Sequence, residues 1–387
     1  RGFMDATWAM TPHGTLNTPV VEDWIYRGIH AMTQKSQAVV QAVYGARARH
    51  SYFVGCSSGG HQALTEAQRY PDDYDGIVAG APANYWTHLM AGQLWYGLAT
   101  RVDPASSLEL PTDKLALIHQ AALKACDARD GVRDGVIENP LSCKFDPQVL
   151  ACRGPAGPDC LTAPQVQALQ KIYDGARDHD GRQVFPGFAP GSELGWKTMM
   201  DPPLLFAQTF YRYLVFQNPA WNYAHMDFAR DVAYADQRIG AITNSVDADL
   251  GPFRAHGGKL LQYHGWADPG ISPYNSVNYY ESVVAKLDPG KDRSAALQDV
   301  QGFYRLFMVP GMGHCRGGGT DTFDALGALE SWVEQGRSPQ RIEADRMADG
   351  KAVETRPLCP YPQVAHYQGS GSTNAAASFK CELPAAS

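Results

Sequence analysis

Residues 51–64, SYFVGCSSGGHQAL, predict a strand, a very tight turn and a helix in immediate succession. Residues 55–59 match G-x-S-x-G with Ser57 at the centre, whereas a frame centred on Ser58 has Cys56 where the first glycine belongs. Glycine is expected here because side chains would clash where strand and helix meet. Such a turn lifts a serine hydroxyl above the sheet and points a helix N-terminus at it, which suits a developing oxyanion. A plain Gly/Ser turn is the alternative.

Further apolar runs predict an α/β fold built on a buried parallel sheet. Strands are expected at residues 52–54 and 76–79, and two more should end near Tyr263 and Pro310. Each run is short and apolar and leads into a Gly-rich loop, as the strands of buried parallel sheets do.

Helical spacing of apolar residues predicts an amphipathic helix over residues 20–44, which Gly45 is placed to end. A second helix is expected to follow Ser57 as far as about Tyr70. The apolar positions of the first helix are Val20, Trp24, Ile25, Ile29, Met32, Val39 and Val43.

Two later loops supply the groups that a serine nucleophile needs. A serine hydroxyl is a weak nucleophile until a base takes its proton. In this kind of fold an acid and then a histidine follow the serine, each on a loop after a strand. The loop HGWADPG offers Asp268, and PGMGHC offers His314. We expect His314 to accept the proton of Ser57 while Asp268 holds the imidazole tautomer. Asp321 and Asp324 fit less well because they follow His314.

The eight cysteines indicate an oxidising compartment, and we therefore expect a secreted or periplasmic protein. Cys56 precedes the serine and Cys315 follows the histidine, so a disulfide with its Cα atoms about 5.5 Å apart would bring both loops together. A Cys56 thiolate nucleophile is the weaker alternative, because Cys56 has the wrong position in the turn. Eight reduced thiols are the alternative to disulfides. The other cysteines form pairs close in sequence, as local disulfide loops would: 126/143, 152/160 and 359/381.

Composition argues against nucleic-acid and membrane partners. The chain has 387 residues, 44% of them hydrophobic and 19% charged, as in globular proteins. Forty acidic residues against 33 basic ones give a net charge of −7, without a basic cluster. No apolar run reaches the roughly 18 residues that a bilayer crossing requires.

Residues 96–250 interrupt the alternation of strands and helices. This segment contains four cysteines, many prolines and a dense run of aromatic residues. We therefore predict a catalytic α/β domain formed by residues 1–95 and 251–387, into which a second domain, residues 96–250, is inserted.

The chain resembles the tannase and feruloyl esterase family of α/β-hydrolases, which includes the bacterial enzyme that cleaves mono(2-hydroxyethyl) terephthalate. The matching segments span nearly the whole chain: GCSSGG, QRYPDDYDGIVAGAPA, CDARDGVRDGVI, FPGFAPGSE, YHGWADP and PGMGHC. The resemblance implies an α/β-hydrolase fold with Ser57, Asp268 and His314 as the triad. It also implies that residues 96–250 form a lid and that the disulfides are Cys56–Cys315, Cys126–Cys143, Cys152–Cys160 and Cys359–Cys381.

The segment CDARDGVRDGVIENPLSC contains a possible cation site. It carries three carboxylates within eight residues, but not in the spacing of an EF-hand. From the residues alone, two solvated Asp-Gly turns are an equally good interpretation. The resemblance implies a structural calcium ion in the lid, and no organic cofactor. The ligands would be the side chains of Asp127, Asp130 and Asp134 and the backbone carbonyls of Val132 and Val136.

The resemblance implies a serine carboxylesterase for esters of aromatic acids. Feruloyl and related hydroxycinnamoyl esters, including plant cell-wall esters, are expected first, gallate esters second and terephthalate monoesters third. Trp196, His264 and Ile271 are candidates for the substrate pocket, and the N–H of Ser58 is one oxyanion donor. Most of the aromatic run is expected to be core. A general aliphatic esterase and a non-catalytic, calcium-stabilised binding scaffold are the other hypotheses.

The chain departs from the family pattern before the serine. In the family several strands precede this turn, and a loop among them supplies the second oxyanion N–H. Here the residues before Ser57 offer one clear helix. We therefore expect N-terminal strands to be missing from this chain, and little activity without such a segment. Expression with and without an upstream segment tests this expectation.

Overall fold

A computed structural model describes residues 5–100, 110–197, 205–287 and 289–384. Its strands, numbered in chain order, are β1 Tyr52–Cys56, β2 Gly76–Gly80, β3 Ala176–Arg177, β4 Gln183–Phe185, β5 Lys259–Gly265, β6 Tyr304–Val309, β7 Thr322–Phe323, β8 Ile342–Ala348, β9 Lys351–Leu358, β10 Val364–Tyr367 and β11 Phe379–Glu382.

The α-helices of the described residues are α1 Thr18–Glu22, α2 Gly28–Tyr44, α3 Ser58–Arg69, α4 Trp86–Ala99, α5 Leu115–Cys126, α6 Ala163–Asp174, α7 Leu205–Thr209, α8 Arg230–Ala235, α9 Ala241–Thr243, α10 Gly251–His256, α11 Pro273–Leu287, α12 Arg293–Val300 and α13 Ala325–Gln335. No helix in these ranges is long and apolar enough to cross a membrane.

A four-stranded parallel sheet in the order β1-β2-β5-β6 is the frame of the molecule. The predicted strands are confirmed, with ends that differ by at most two residues. Strand β2 is completely buried, as its apolar sequence predicts. Strand β1 is at an edge of this sheet, and its Val54 is 55% exposed. Whether further strands precede β1 stays a prediction.

Because all four strands are parallel, the loops that leave β1, β5 and β6 emerge at the same end of the sheet, that of the carboxyl ends of its strands. Those loops carry Ser57, Asp268 and His314. The sheet order therefore brings together three residues that are far apart in sequence.

The helix predicted over residues 20–44 is interrupted by a π-helical turn, Asp23–Arg27, and ends at Gly45, whose φ is 72°. The amphipathic pattern is wrong for its second half. Val21 and Ile25 are buried in the core, but Met32, Val39 and Val43 are 52%, 60% and 68% exposed. The pattern fails because the helix continues beyond the core on which its first turns pack.

One hydrophobic core joins segments on both sides of the predicted domain boundary. Helix α4 passes through residues 95 and 96, and its buried face packs against Phe185, Phe210 and Tyr211. Residues 101–109 and 198–204 of the predicted insert lie outside the described residues. The division into two domains stays a prediction.

Three small sheets lie outside the central one. Strands β3 and β4 form an antiparallel pair, β7, β8 and β9 form a three-stranded antiparallel sheet, and β10 pairs with β11. The last two sheets are close in sequence to the disulfide between Cys359 and Cys381, which ties the end of β9 to β11.

Candidate active site

Ser57 lies at the tight turn between β1 and α3. Its backbone, with φ of 66° and ψ of −121°, is in a region that residues other than glycine rarely adopt. Its N–H donates to the carbonyl of Gly80 at 3.0 Å, and its carbonyl accepts from the N–H groups of His61 and Ala83. These hydrogen bonds, to β2 and to the following helix, offset the cost of the strained conformation.

Close packing around the turn requires glycine at two positions. A Cβ atom on Gly55 would overlap the carbonyl of Gly59, and one on Gly60 would overlap the carbonyl of Gly80. A Cβ atom on Gly59 would meet no atom within 4 Å. The steric prediction is therefore confirmed for Gly55 but wrong for Gly59. Gly60, which G-x-S-x-G does not include, is the second glycine that packing requires.

The structure brings the three predicted catalytic side chains into one hydrogen-bonded chain. The Oγ of Ser57 lies 2.8 Å from the Nε2 of His314, and the Nδ1 of His314 lies 2.7 Å from the Oδ2 of Asp268. The rival acids are engaged elsewhere, because Asp321 accepts from the N–H of Gly317 and Asp324 caps helix α13.

Asp268 is fully buried but well supplied with donors. Its Oδ1 accepts hydrogen bonds from the N–H groups of Gly270 and Ile271, at 2.7 and 3.0 Å. Its Oδ2 lies 3.1 Å from the Nε2 of His264 as well as close to His314. Burial alone would raise the pKa of Asp268, but the two histidines outweigh it and hold the pKa well below its ordinary value.

The base has the opposite shift. Burial disfavours the charged imidazolium of His314, but the hydrogen bond and the negative charge of Asp268 outweigh burial, so the pKa of His314 is raised above its ordinary value. His314 is consequently a stronger base than a free histidine, which suits the removal of a proton from Ser57.

Four disulfides hold this part of the fold and its surroundings. Cys56 and Cys315 are bonded, with Cα atoms 6.1 Å apart, so the turn of Ser57 and the loop of His314 are covalently linked. The other three predicted pairs are also confirmed: Cys126–Cys143, Cys152–Cys160 and Cys359–Cys381. Every cysteine of the chain is thus in a disulfide, which excludes a free Cys56 thiolate in this structure.

The predicted oxyanion donor has a suitable position. Ser58 is the first residue of α3, directly after Ser57. The first N–H groups of a helix have no acceptor within that helix. The backbone N–H of Ser58 is therefore a donor at the N-terminus of α3, in the residue next to Ser57.

A cavity of about 470 Å³ lies against His314. Its wall includes Ile137, Leu194, Trp266 and Pro269, which are apolar. Trp266 and Pro269 lie within two residues of Asp268 in the sequence, and this proximity to the predicted acid was a signal that they line the site. Ile137 and Leu194 come from remote segments and give no such signal.

The three predicted pocket residues do not line this cavity. Trp196 is completely buried between Tyr173 and Phe188, so its prediction as a pocket wall is not supported by its position. His264 is also fully buried. Its Nδ1 lies 2.7 Å from the Oγ of Ser276 and its Nε2 lies 3.1 Å from Asp268, so it contacts the catalytic acid and not the cavity. Ile271 is 5% exposed and packs in the same core as helix α4.

The five predicted calcium ligands lie in one irregular loop after α5. Asp127 accepts from the N–H groups of Asp134 and Gly135, whereas Asp130 accepts from Val132 and Asp134 from Val136. The three carboxylates are not close enough to place one oxygen of each within 4.8 Å of the other two.

A small cavity of about 20 Å³ adjoins two of the three carboxylates, those of Asp130 and Asp134. Burial raises the pKa of Asp130 to about 6, and the negative charges of Asp134 and Asp127 add to this effect. The loop is thus crowded with hard oxygen donors whose repulsion a cation would relieve.

Known proteins are similar to this chain over most of its length. The profile of the family described as tannase and feruloyl esterase matches residues 4–382. An esterase of Xanthomonas campestris pv. campestris is 39% identical over 93% of this chain and 70% of its own length. The mono(2-hydroxyethyl) terephthalate hydrolase of Piscinibacter sakaiensis is 33% identical over 94% of this chain and 68% of its own length.

A solved structure shows the same fold. The crystal structure of feruloyl esterase B from Aspergillus oryzae superposes with a TM-score of 0.87 at 31% identity, and the match covers 96% of this chain and 76% of that one. Fold and sequence are similar over nearly the whole chain. The chain therefore belongs to the tannase and feruloyl esterase family of carboxylic ester hydrolases.

Proposed function

We propose that this protein is a serine carboxylesterase that hydrolyses esters of hydroxycinnamic acids through an acyl-serine intermediate on Ser57. The observation that supports it most directly is the hydrogen-bonded chain from Ser57 through His314 to Asp268, formed at a turn of strained backbone. A strained residue maintained by several hydrogen bonds is typical of catalytic sites.

Each residue has a definite role in this reaction. The Oγ of Ser57 attacks the ester carbonyl and gives its proton to the Nε2 of His314, while the N–H of Ser58 binds the negative oxygen. His314 then donates that proton to the departing alcohol as the carbon–oxygen bond breaks. Water attacks the acyl-serine with His314 again as the base, releasing the acid and restoring Ser57. Asp268, supported by His264, stabilises the imidazolium.

Two relatives support an aromatic acyl group. Feruloyl esterase B of Aspergillus oryzae is named for feruloyl esters, and the relative from Piscinibacter sakaiensis is named for a terephthalate monoester. The cavity of about 470 Å³ beside His314 has the size and apolar wall of a small-molecule site. We therefore keep hydroxycinnamoyl esters first. Terephthalate monoesters, expected third from the sequence, are now placed second, and gallate esters, expected second, become the third candidate.

We also propose a structural calcium ion in the loop of residues 127–136. Asp127, Asp130 and Asp134 would supply carboxylate oxygens, and Val132 and Val136 would supply backbone carbonyls. The ion would offset the mutual repulsion of these carboxylates and would take no part in the proton transfers. The four disulfides support a secreted or periplasmic location.

One panel of substrates tests the proposed activity. Methyl ferulate, the terephthalate monoester, methyl gallate and p-nitrophenyl butyrate are compared by kcat/KM, with Ser57→Ala as the matched inactive variant. We expect the highest value for methyl ferulate and labelling of Ser57, but not of the variant, by a fluorophosphonate. A preference for the butyrate ester would indicate a general aliphatic esterase. Absence of both turnover and labelling, in the chain expressed with an upstream segment as well as without one, would indicate a binding scaffold and refute the proposal.

A further inference from the structure

Glu66 is a buried acid that the proposed reaction does not use. It lies on helix α3, two turns beyond Ser57, and its side chain is 1% exposed. Neither carboxyl oxygen has a hydrogen-bond donor among the described residues. Glutamate is rarely fully buried, and burial without a partner is costly for a carboxyl group. A hydrogen bond with the carboxyl of Asp73 would need a proton on one of the two groups.

Two further polar side chains meet Glu66 from different elements. Asp73, in the loop between α3 and β2, is 6% exposed, and His30 comes from helix α2. The Nδ1 of His30 lies 2.6 Å from the Oδ2 of Asp73. One ligand atom from each of His30, Glu66 and Asp73 lies within 4.8 Å of the other two. Within the described ranges, no other set of three such side chains is grouped so closely.

The surrounding residues orient two of these groups. The imidazole of His30 stacks on the ring of Tyr70, with centroids 3.7 Å apart and planes within 8°. The amide of Gln34 donates a hydrogen bond to the Oδ1 of Asp73 at 3.0 Å, which leaves Oδ2 toward His30. Outer contacts of this kind are typical of metal ligands, whose orientation they hold.

We propose that His30, Glu66 and Asp73 bind one divalent transition-metal cation, for which Zn²⁺ is the best match. An imidazole nitrogen with two carboxylate oxygens suits Zn²⁺, whereas Ca²⁺ and Mg²⁺ prefer oxygen ligands alone. Three protein ligands leave a fourth position for water, which can enter because the side chain of His30 is 29% exposed. On binding, the metal replaces the hydrogen bond between His30 and Asp73, and any proton on Glu66 is released.

Electrostatics support the same site. Burial, together with the negative charge of Asp73 and a side-chain hydrogen bond to it, raises the pKa of Glu66 to about 8. A cation between the two carboxylates would favour their charged forms and so lower this pKa. The metal would link α2 to the helix that begins beside Ser57, so its role would be structural. This inference does not depend on the proposed esterase activity.

Calorimetric titration with Zn²⁺ tests the site in the full chain, after chelator treatment and exchange into buffer containing Ca²⁺. We expect one equivalent of Zn²⁺ to bind and to raise the thermal midpoint. Glu66→Gln and His30→Gln should weaken this binding by about 100-fold or more, since loss of even an outer partner costs 10–100-fold. Asp236→Asn is the matched control. It removes the carboxylate that pairs with His88, and in the described part of the chain that pair has no third metal-ligating side chain beside it.

Several results would overturn the proposal. They are the absence of Zn²⁺ binding by the unmodified chain, and binding that both ligand variants retain. A Glu66→Gln variant with a higher midpoint, in a protein whose unmodified form shows no response to Zn²⁺, would show that Glu66 instead shares a proton with Asp73. If Glu66→Gln does not fold, His30→Gln decides, because His30 is partly exposed. The far-ultraviolet circular dichroism spectrum of each variant verifies its fold.

Discussion

Ser57 combines a weak nucleophile with an unusual backbone conformation. Its Oγ lies 2.8 Å from the Nε2 of His314. The φ of 66° is stabilised by a hydrogen bond from the N–H of Ser57 to Gly80 and by hydrogen bonds from His61 and Ala83 to its carbonyl. The neighbouring glycines serve this arrangement in different ways, because only some of them are packed against backbone.

Substitution of two adjacent glycines should therefore affect stability very differently. Gly60→Ala should destabilise the fold by more than about 3 kcal/mol, because its Cβ would overlap the carbonyl of Gly80, which cannot move without breaking β2. Gly59→Ala should leave the thermal midpoint nearly unchanged, because its Cβ enters open space. Thermal denaturation of both variants checks this pair. Equal loss of stability in the two would contradict the packing described here.

The pH dependence of activity should follow His314. The base must be neutral to accept a proton, and its pKa is raised by Asp268. The acid limb of kcat/KM should thus lie above the ordinary histidine value of about 6.5, with activity lost as pH falls through it. Asp268→Asn should lower the pKa of His314 and reduce kcat by about 10⁴-fold. An NMR titration of the His314 imidazole in both proteins measures the shift. An unchanged pKa in Asp268→Asn would refute this account.

The loops after β1, β5 and β6 contribute one catalytic group each, and their separation depends on how closely those loops pack. A Cβ atom on Gly265, at the end of β5, would overlap the carbonyl of Met312 in the histidine loop. The disulfide Cys56–Cys315 joins the outer two loops over a sequence separation of 259. The parallel sheet sets the direction of the loops, whereas the disulfide and these backbone contacts set their distance.

Removal of this disulfide should affect both stability and catalysis. From chain entropy, the double variant Cys56→Ser/Cys315→Ser should lose about 5 kcal/mol, and Cys152→Ser/Cys160→Ser, with its short loop, about 2–3 kcal/mol. Loss of the first disulfide should also lower kcat by on the order of 10²-fold through misplacement of His314. Denaturant unfolding and steady-state kinetics compare the two. A full kcat in the first variant would show that packing alone positions the loops.

Residues 127–138, which include the proposed calcium ligands, connect parts of the molecule that are far apart in sequence. The Oδ2 of Asp134 pairs with Arg356 on β9 at 2.6 Å, and the Oε1 of Glu138 accepts from the N–H of Ala365 on β10 at 2.8 Å. Val136, in the same loop, lines the cavity beside His314. A cation in the loop would therefore stabilise contacts between the middle of the chain and its last strands.

Calcium should accordingly raise the stability of the whole molecule. Addition of Ca²⁺ to the chelator-treated protein should raise its thermal midpoint, because an ion that binds the folded state and not the unfolded state stabilises the folded state. Asp130→Asn should lose most of that rise. Asp180→Asn, in an exposed turn, is the matched control and should keep it. A rise of the same size in Asp130→Asn would place the ion elsewhere.

Much of the central fold could be predicted from short segments of sequence. The four parallel strands, the turn at Ser57 and the order of serine, acid and histidine follow from local patterns, because backbone conformation responds mainly to adjacent residues. The pairing of Cys56 with Cys315 follows from the positions of both cysteines beside catalytic residues, together with the family resemblance. The strands, the turn and the disulfide are confirmed, and hydrogen bonds join the serine, the histidine and the acid.

Burial and long-range contact could not be predicted in this way. The exposed face of α2, the complete burial of Trp196 and the support of Asp268 by His264 depend on which remote segments pack there. The same holds for Glu66, whose helix pattern gives no sign that Asp73 and His30 converge on it. A residue's own neighbours set its backbone, whereas the rest of the chain sets what surrounds its side chain, and that is known only once the elements are packed.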